Sequence, residues 1–214
     1  MNKINLVIIA CILVSLLFWV SDLNFITQNF AFSGENLLNG KVWTIVTALF
    51  LHADILHLAG NMIFLYAFGN VLEKEVGAGK TYLAFFVGGV LAFLLGVFFY
   101  DPQVYMIGAS AAIFALTAVV LLVKPLKFSF LFFMPLGLVA VIYIIYNVLA
   151  VQSNIEGNIA YISHVIGFAI GIPLGIAWTK NLAKNLLITL GLLLLYLVIA
   201  LVFLPILLQS LGLG

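Results

Sequence analysis

The 214-residue chain is short of charge: Asp, Glu, Lys and Arg make up 7% of it, against 66% hydrophobic residues and a mean hydropathy of +1.33. Soluble domains run near one-quarter charged and one-half apolar, so water is excluded as the main solvent. Arginine is missing altogether, all eight basic residues being Lys, and with it any guanidinium clamp for phosphate or carboxylate. A net charge of +1 leaves no concentrated basic face, which argues against a nucleic-acid partner. The single cysteine, Cys11 in an apolar run, excludes a disulfide framework and a cysteine-based metal site within one chain. An integral membrane protein remains.

What the chain has is long apolar runs. A spanning helix needs about 20 mostly apolar residues, and seven stretches qualify: Ile4–Val20, Asp54–Val71, Thr81–Tyr100, Met106–Val123, Phe128–Ala150, Ile159–Trp178 and Asn185–Leu208. None alternates apolar with polar residues as a membrane strand does, so the expected fold is an all-α polytopic bundle. With the ends numbered alternately, Lys3, Lys74, Lys80, Lys124, Lys127, Lys180 and Lys184 share one side and only Lys41 falls on the other. Lysines stay cytoplasmic, which puts the N-terminus inside and loops 21–53, 101–105 and 151–158 outside, with Asp22, Glu35, Asp101 and Glu156 in them. The first run has a basic start but no small-x-small cleavage pattern near Ser21, and is expected to be retained as a span. Loop 21–53 is long for a bundle connection. Its apolar run Val42–Leu51 is too short to span, so it is expected to lie in the interface or re-enter it, the alternative being a mobile outer loop.

Polar residues inside such spans are costly and so point to function. No Asp, Glu or Lys falls in the middle of any run, which disfavours a transporter. The three histidines, His52, His57 and His164, all sit at or just inside outer ends. Counted at 1.5 Å per residue from the expected helix starts, Ser110 is about 6 Å down and His164 about 7–8 Å. His57 and Asn61 lie about 5 and 10 Å down on one helix face. Four polar residues from three helices thus share one outer-leaflet layer.

Small neighbours flank Ser110 (Gly108-Ala109-Ser110-Ala111-Ala112), and Gly167, Gly171 and Gly175 form a small-residue ridge below His164. If ridge packs on small stretch, Ser110 and His164 approach hydrogen-bonding range. A serine hydroxyl needs an adjacent base to become a nucleophile, and imidazole suits that task near neutral pH. Ser163 is a poorer partner, because adjacent helical residues point about 100° apart. Two bland readings compete: serines in membrane helices bond back to their own i−4 carbonyl, and a membrane histidine is often an interhelical tie. His52 is read as such a tie between loop and helix start, and Asp54 as a helix N-cap.

These motifs resemble the rhomboid family of intramembrane serine proteases in its compact prokaryotic form. The residues that carry the resemblance are His52-x4-His57-x3-Asn61, Gly108-x-Ser110 and His164-x2-Gly167-x3-Gly171, on the second, fourth and sixth spans. It covers about residues 1–180, a six-helix catalytic domain, and leaves 181–214 as an additional C-terminal transmembrane helix packed on the same domain. The resemblance implies that Ser110 is the nucleophile and His164 the general base. It implies that His57, Asn61 and the backbone N–H of Ser110 hold the oxyanion, and that Phe114 stacks on the imidazole. It implies no metal and no cofactor, substrates that are transmembrane helices of other membrane proteins, and an active site opening to the extracytoplasmic side of the cell membrane. No carboxylate lies at the depth of the layer, so a Ser-His dyad is expected. Two positions depart from the family pattern: Ala111 follows the serine where Gly is usual, and Thr44 follows Trp43 where Arg is common. The competing expectation is an inactive relative that binds or escorts transmembrane helices.

Overall fold

A computed structural model describes residues 2–153 and 159–212; Glu156 and most of loop 151–158 lie outside the described residues. The protein is an all-α polytopic membrane protein. Among the described residues, four helices are long and apolar enough to cross a membrane, Ile55–Val76, Ala78–Gly96, Tyr161–Trp178 and Leu182–Ser210. Three shorter apolar helices, Asn5–Val20, Ser110–Val123 and Leu136–Gln152, complete a set matching the seven expected runs. In chain order these are the first (Asn5–Val20), second (Ile55–Val76), third (Ala78–Gly96), fourth (Ser110–Val123), fifth (Leu136–Gln152), sixth (Ile159–Trp178) and seventh (Leu182–Ser210) spans.

The fourth span is the axis of the molecule. Every residue from Ala111 to Leu122 is buried, as expected of a helix that is apolar all round. Glycines make this enclosure possible. A Cβ on Gly88 of the third span would collide with Ala115 Cβ, and one on Gly167 or Gly171 of the sixth would collide with the carbonyl oxygens of Ala111 or Ala115. Gly175 continues the ridge against Val119 and Leu122. Contacts advance in the same direction along both helices, so the fourth and sixth spans are parallel neighbours.

Two expected spans begin later in the structure, for the same reason. Met106–Ala109 is apolar but not helical: Phe32 and Met106 exchange both backbone hydrogen bonds, at 3.2 and 2.7 Å, and the Gly108 N–H donates to the Ala48 carbonyl at 2.9 Å. Gly108 then takes φ +111°, a left-handed conformation open to glycine, and the helix starts at Ser110. The fifth span likewise starts at Leu136, after a two-stranded hairpin pairing Phe128–Ser129 with Met134–Pro135. Irregular backbone at membrane depth is tolerated where protein covers it, as it covers the buried Met106, Gly108 and Ala109.

Loop 21–53 is not extended. It folds into short helices Leu23–Phe30, Gly34–Leu38 and Thr44–Thr47, the last running into a 3-10 turn at Ala48–Phe50. Asp22 and Ser33 cap the first two through their side-chain oxygens. Ala48 and Leu49 are buried, Leu49 lying where a Cβ on Gly89 of the third span would sit. Trp43 Nε1 donates to the Asn29 carbonyl at 2.8 Å, and the Thr44 hydroxyl closes its own turn on the Lys41 carbonyl at 2.7 Å. At the opposite end of the first span, Glu73 accepts the N–H groups of Lys3 and Ile4 at 2.8 and 2.7 Å. Leu192 is the one buried residue of the seventh span among those described, the rest being exposed or half-buried; Asn185 Nδ2 ties the span to the Leu122 and Val123 carbonyls at 2.8 and 3.1 Å.

Candidate active site

The expected residues are gathered at the N-terminal end of the fourth span. Ser110 is the first residue of that helix, not its fifth, so the depth counted from Met106 along a helix is replaced by a descent through irregular backbone. Ala109 at the cap position offers no side-chain acceptor, so the first-turn N–H groups stay available for an anion, at the positive end of the helix dipole. Ser110 is half-buried.

His57 and Asn61 reach this turn from the second span. Asp54 starts that helix as its N-cap, accepting the His57 N–H at 2.8 Å. The Ala53 N–H points at His57 Nδ1 at 3.4 Å, which leaves the ring hydrogen on Nε2. That Nε2 lies 2.8 Å from where a Cβ on Gly108 would be, and Asn61 Nδ2 lies 3.6 Å from the same point. Only a residue without a side chain fits between them. Asn61 is buried, and its Nδ2 has no hydrogen-bond partner among the described residues.

His164 comes from the sixth span. It precedes Gly167 by one turn, and Gly167 lies against the backbone of Ala111, so it is carried to the level where the fourth helix begins. Phe114 stacks on it with ring centroids 4.5 Å and planes 13° apart, and Tyr161 meets it edge-on at 6.3 Å. Phe114 in turn stacks on Tyr143 at 4.3 Å, and Tyr143 on Phe64 at 4.5 Å. This aromatic column joins the sixth, fourth, fifth and second spans. His164 is buried; among the described residues its Nε2 and Asn61 Nδ2 are the two buried side-chain N or O atoms with no hydrogen-bond partner. A buried unpaired polar atom calls for an explanation, and both belong to the same layer.

The remaining expected residues divide. Gly108, Gly167 and Gly171 sit at close backbone approaches. Ala111 is buried with its backbone against Gly167. Ser163 lies 3.5 Å from the Tyr100 hydroxyl and 3.8 Å from Met106 Sδ. His52 is fully buried and ties more elements than expected. Its Nδ1 is 3.0 Å from the Ser15 hydroxyl, which donates to the Phe50 carbonyl at 3.1 Å; its Nε2 accepts the Ala109 N–H at 3.5 Å; and Trp19 Nε1 donates to its carbonyl at 2.8 Å. It thereby fixes the first span to the residue preceding Ser110.

One member of the cluster was not among the expected residues. Asn147 of the fifth span, 1% exposed, lies with Oδ1 2.7 Å from His164 Nδ1. It stands three residues before Ala150, the expected outer end of its span, so the depth count applied to Ser110 places it about 5 Å down, in the same layer.

Comparison with known proteins points the same way. The Rhomboid domain family matches residues 39–181. The chain is 31% identical over 162 residues to RHOMBOID-like protein 12, mitochondrial, of Arabidopsis thaliana, covering 65% of this chain and 48% of that one. It is 36% identical over 78 residues to Rhomboid-like protease 3 of Toxoplasma gondii, covering 36% and 29%. It is 33% identical over 138 residues to Rhomboid protease GluP of Bacillus subtilis (strain 168), covering 62% and 26%. The chain thus spans less than half the length of each of these relatives.

Proposed function

The chain belongs to the rhomboid family, and from that membership and the geometry above we propose that it is an intramembrane serine protease using Ser110 and His164. It hydrolyses a peptide bond near the outer end of another membrane protein's transmembrane helix, through an acyl-enzyme. The observation that carries this reading is the pair of buried, unpaired nitrogens, His164 Nε2 and Asn61 Nδ2, on either side of the Gly108–Ser110 turn.

Each atom has a task. His164 Nε2 takes the Ser110 proton as the hydroxyl attacks the scissile carbonyl, then returns it to the leaving amine. The tetrahedral oxygen is held by Asn61 Nδ2, the Nε2–H of His57 and the backbone N–H of Ser110. One such donor is commonly worth about 3–4 kcal/mol in the transition state. Ser110 and His164 are not hydrogen-bonded to each other, which is usual for catalytic pairs that tighten around substrate. A substrate helix must unwind locally to expose a peptide bond, so helix-breaking residues near its outer end favour cleavage. The lysine asymmetry supports a cytoplasmic N-terminus in the cell membrane, with the site opening to the extracytoplasmic side. Residues 1–180 form the catalytic unit, and 181–214 pack on it as an added helix.

The test uses the purified protein in detergent with a fluorophosphonate probe and a transmembrane model substrate. Labelling and cleavage by wild type, both lost in Ser110→Ala and in His164→Ala, are the expected results. Cleavage that persists in both variants overturns the assignment. Substrate association without any labelling of wild type makes the protein a binding member of the family.

A further inference from the structure

Asn147 has no part in the chemistry above, yet its hydrogen bonds decide which form of His164 is present. Its Nδ2 donates to the Tyr143 carbonyl at 2.7 Å, and its Oδ1 faces His164 Nδ1 at 2.7 Å. A backbone carbonyl only accepts, so the NH2 end of the amide must face Tyr143 and the oxygen must face the imidazole. The amide oxygen also only accepts, so the hydrogen of the neutral ring sits on Nδ1. Nε2 is then bare, and Nε2 is the atom left without a partner.

We propose that Asn147 is the positioning residue of this site: it holds His164 in the tautomer and orientation whose bare Nε2 addresses Ser110. The proposal rests on the Ser110–His164 reading and supplies the third member that a bare dyad lacks. Phe114 fixes the plane of the ring, but a flat stack lets the ring turn within that plane. The bond to Asn147 selects one orientation. An amide can fill the place that a carboxylate takes in Ser-His-Asp enzymes, as it does in Cys-His-Asn proteases. It also suits this location, because an unpaired carboxylate is costly to bury and the fourth, fifth and sixth spans contain no Asp or Glu. Asn147 is itself held by a bond to its own helix, which limits the freedom it must lose.

The experiment combines a spectroscopic and a kinetic measurement on the full chain in detergent. Nitrogen NMR of protein labelled at its three histidines, assigned with His52→Gln and His57→Gln, is expected to show His164 protonated on Nδ1 at neutral pH. In Asn147→Ala that signature is lost and Ser110 labelling slows about 10–100-fold, the size common on removing an imidazole's outer partner. Asn147→Asp keeps an oxygen beside Nδ1 but cannot donate to Tyr143, and recovers most of the rate. A wild-type ring protonated on Nε2, wild-type labelling by Asn147→Ala, or Asn147→Asp no faster than Asn147→Ala each overturns the proposal. Wild-type labelling that is lost in Ser110→Ala but unaffected in Asn147→Ala defeats this inference alone; absence of Ser110-dependent labelling defeats the protease reading beneath it. Where Asn147→Ala does not fold, the wild-type spectrum and the Asp variant still decide.

Discussion

The rings of Phe114 and His164 lie nearly parallel, 13° apart with centroids 4.5 Å apart, so the fourth span supplies both the serine and the surface on which the histidine rests. Phe114→Leu keeps an apolar filler but removes the flat face. Aromatic pairs contribute about 0.5–1.5 kcal/mol beyond burial, so Ser110 labelling is expected to slow by up to about tenfold with the fold retained. Labelling of Phe114→Leu at the wild-type rate shows that the stack does not matter to the site.

Gly108 is confined both by its φ of +111° and by the His57 ring 2.8 Å from any added Cβ. Gly108→Ala must displace His57 or the turn that delivers Ser110, and a misplacement near 1 Å can cost about a hundredfold in rate. Gly40→Ala is the matched comparison, since Gly40 has φ +79° but nothing within 4 Å. Labelling is expected to collapse in the first and persist in the second. Equal rates in the two variants refute the steric account.

A methyl on Gly167 collides with the carbonyl of Ala111, whereas a methyl on Gly191 meets nothing within 4 Å. Overpacking commonly costs about 1–3 kcal/mol, equivalent to roughly 2–4 °C of thermal midpoint per kcal/mol at this size. Gly167→Ala should melt several degrees early and lose labelling, while Gly191→Ala should melt at or slightly above wild type because alanine favours helix. Coincident melting curves argue against the ridge as the spacer between the fourth and sixth spans.

His52 lies outside the spanning helices, and burial, with the charge of His57 adding to it, pushes its imidazole down from 6.5 to about 4, only partly offset by the Phe50 carbonyl. Its neutral form makes the bonds to Ser15 and Ala109. The unfolded chain takes up a proton near 6.5 that the folded chain refuses until about 4. The contribution of this residue is therefore complete above pH 6.5 and is lost as the pH falls toward 4. Thermal midpoints measured from pH 7 to 4 should decline across that window, and less steeply in His52→Gln. Parallel profiles for wild type and variant contradict this assignment.

Apolar runs were readable as spans because lipid imposes length and composition together, and the polar layer stood out because polar residues are rare in those runs. The start of the fourth helix was not readable. Met106 and Ile107 are as apolar as a helix requires, and what unwinds them is pairing with Phe32 and Ala48, far away in the chain. The hairpin before Leu136 was hidden in the same way by its own Phe and Leu content. Loop 21–53 showed its aromatic residues but not the Asp22 and Ser33 caps that fold it. Asn147 does not stand out in the sequence because an amide bears no charge, and the carboxylate that would mark a partner of His164 is absent from the fifth span.

A helix walled in from Ala111 to Leu122 cannot finish its burial until the sixth span has left the ribosome. During synthesis Ser110 is therefore made roughly fifty residues ahead of His164, and of the glycines that seat the two helices together. A nascent chain holds half of the proposed site until that late helix docks. On the proposed function, the order of the spans delays assembly of the site until the bundle has closed.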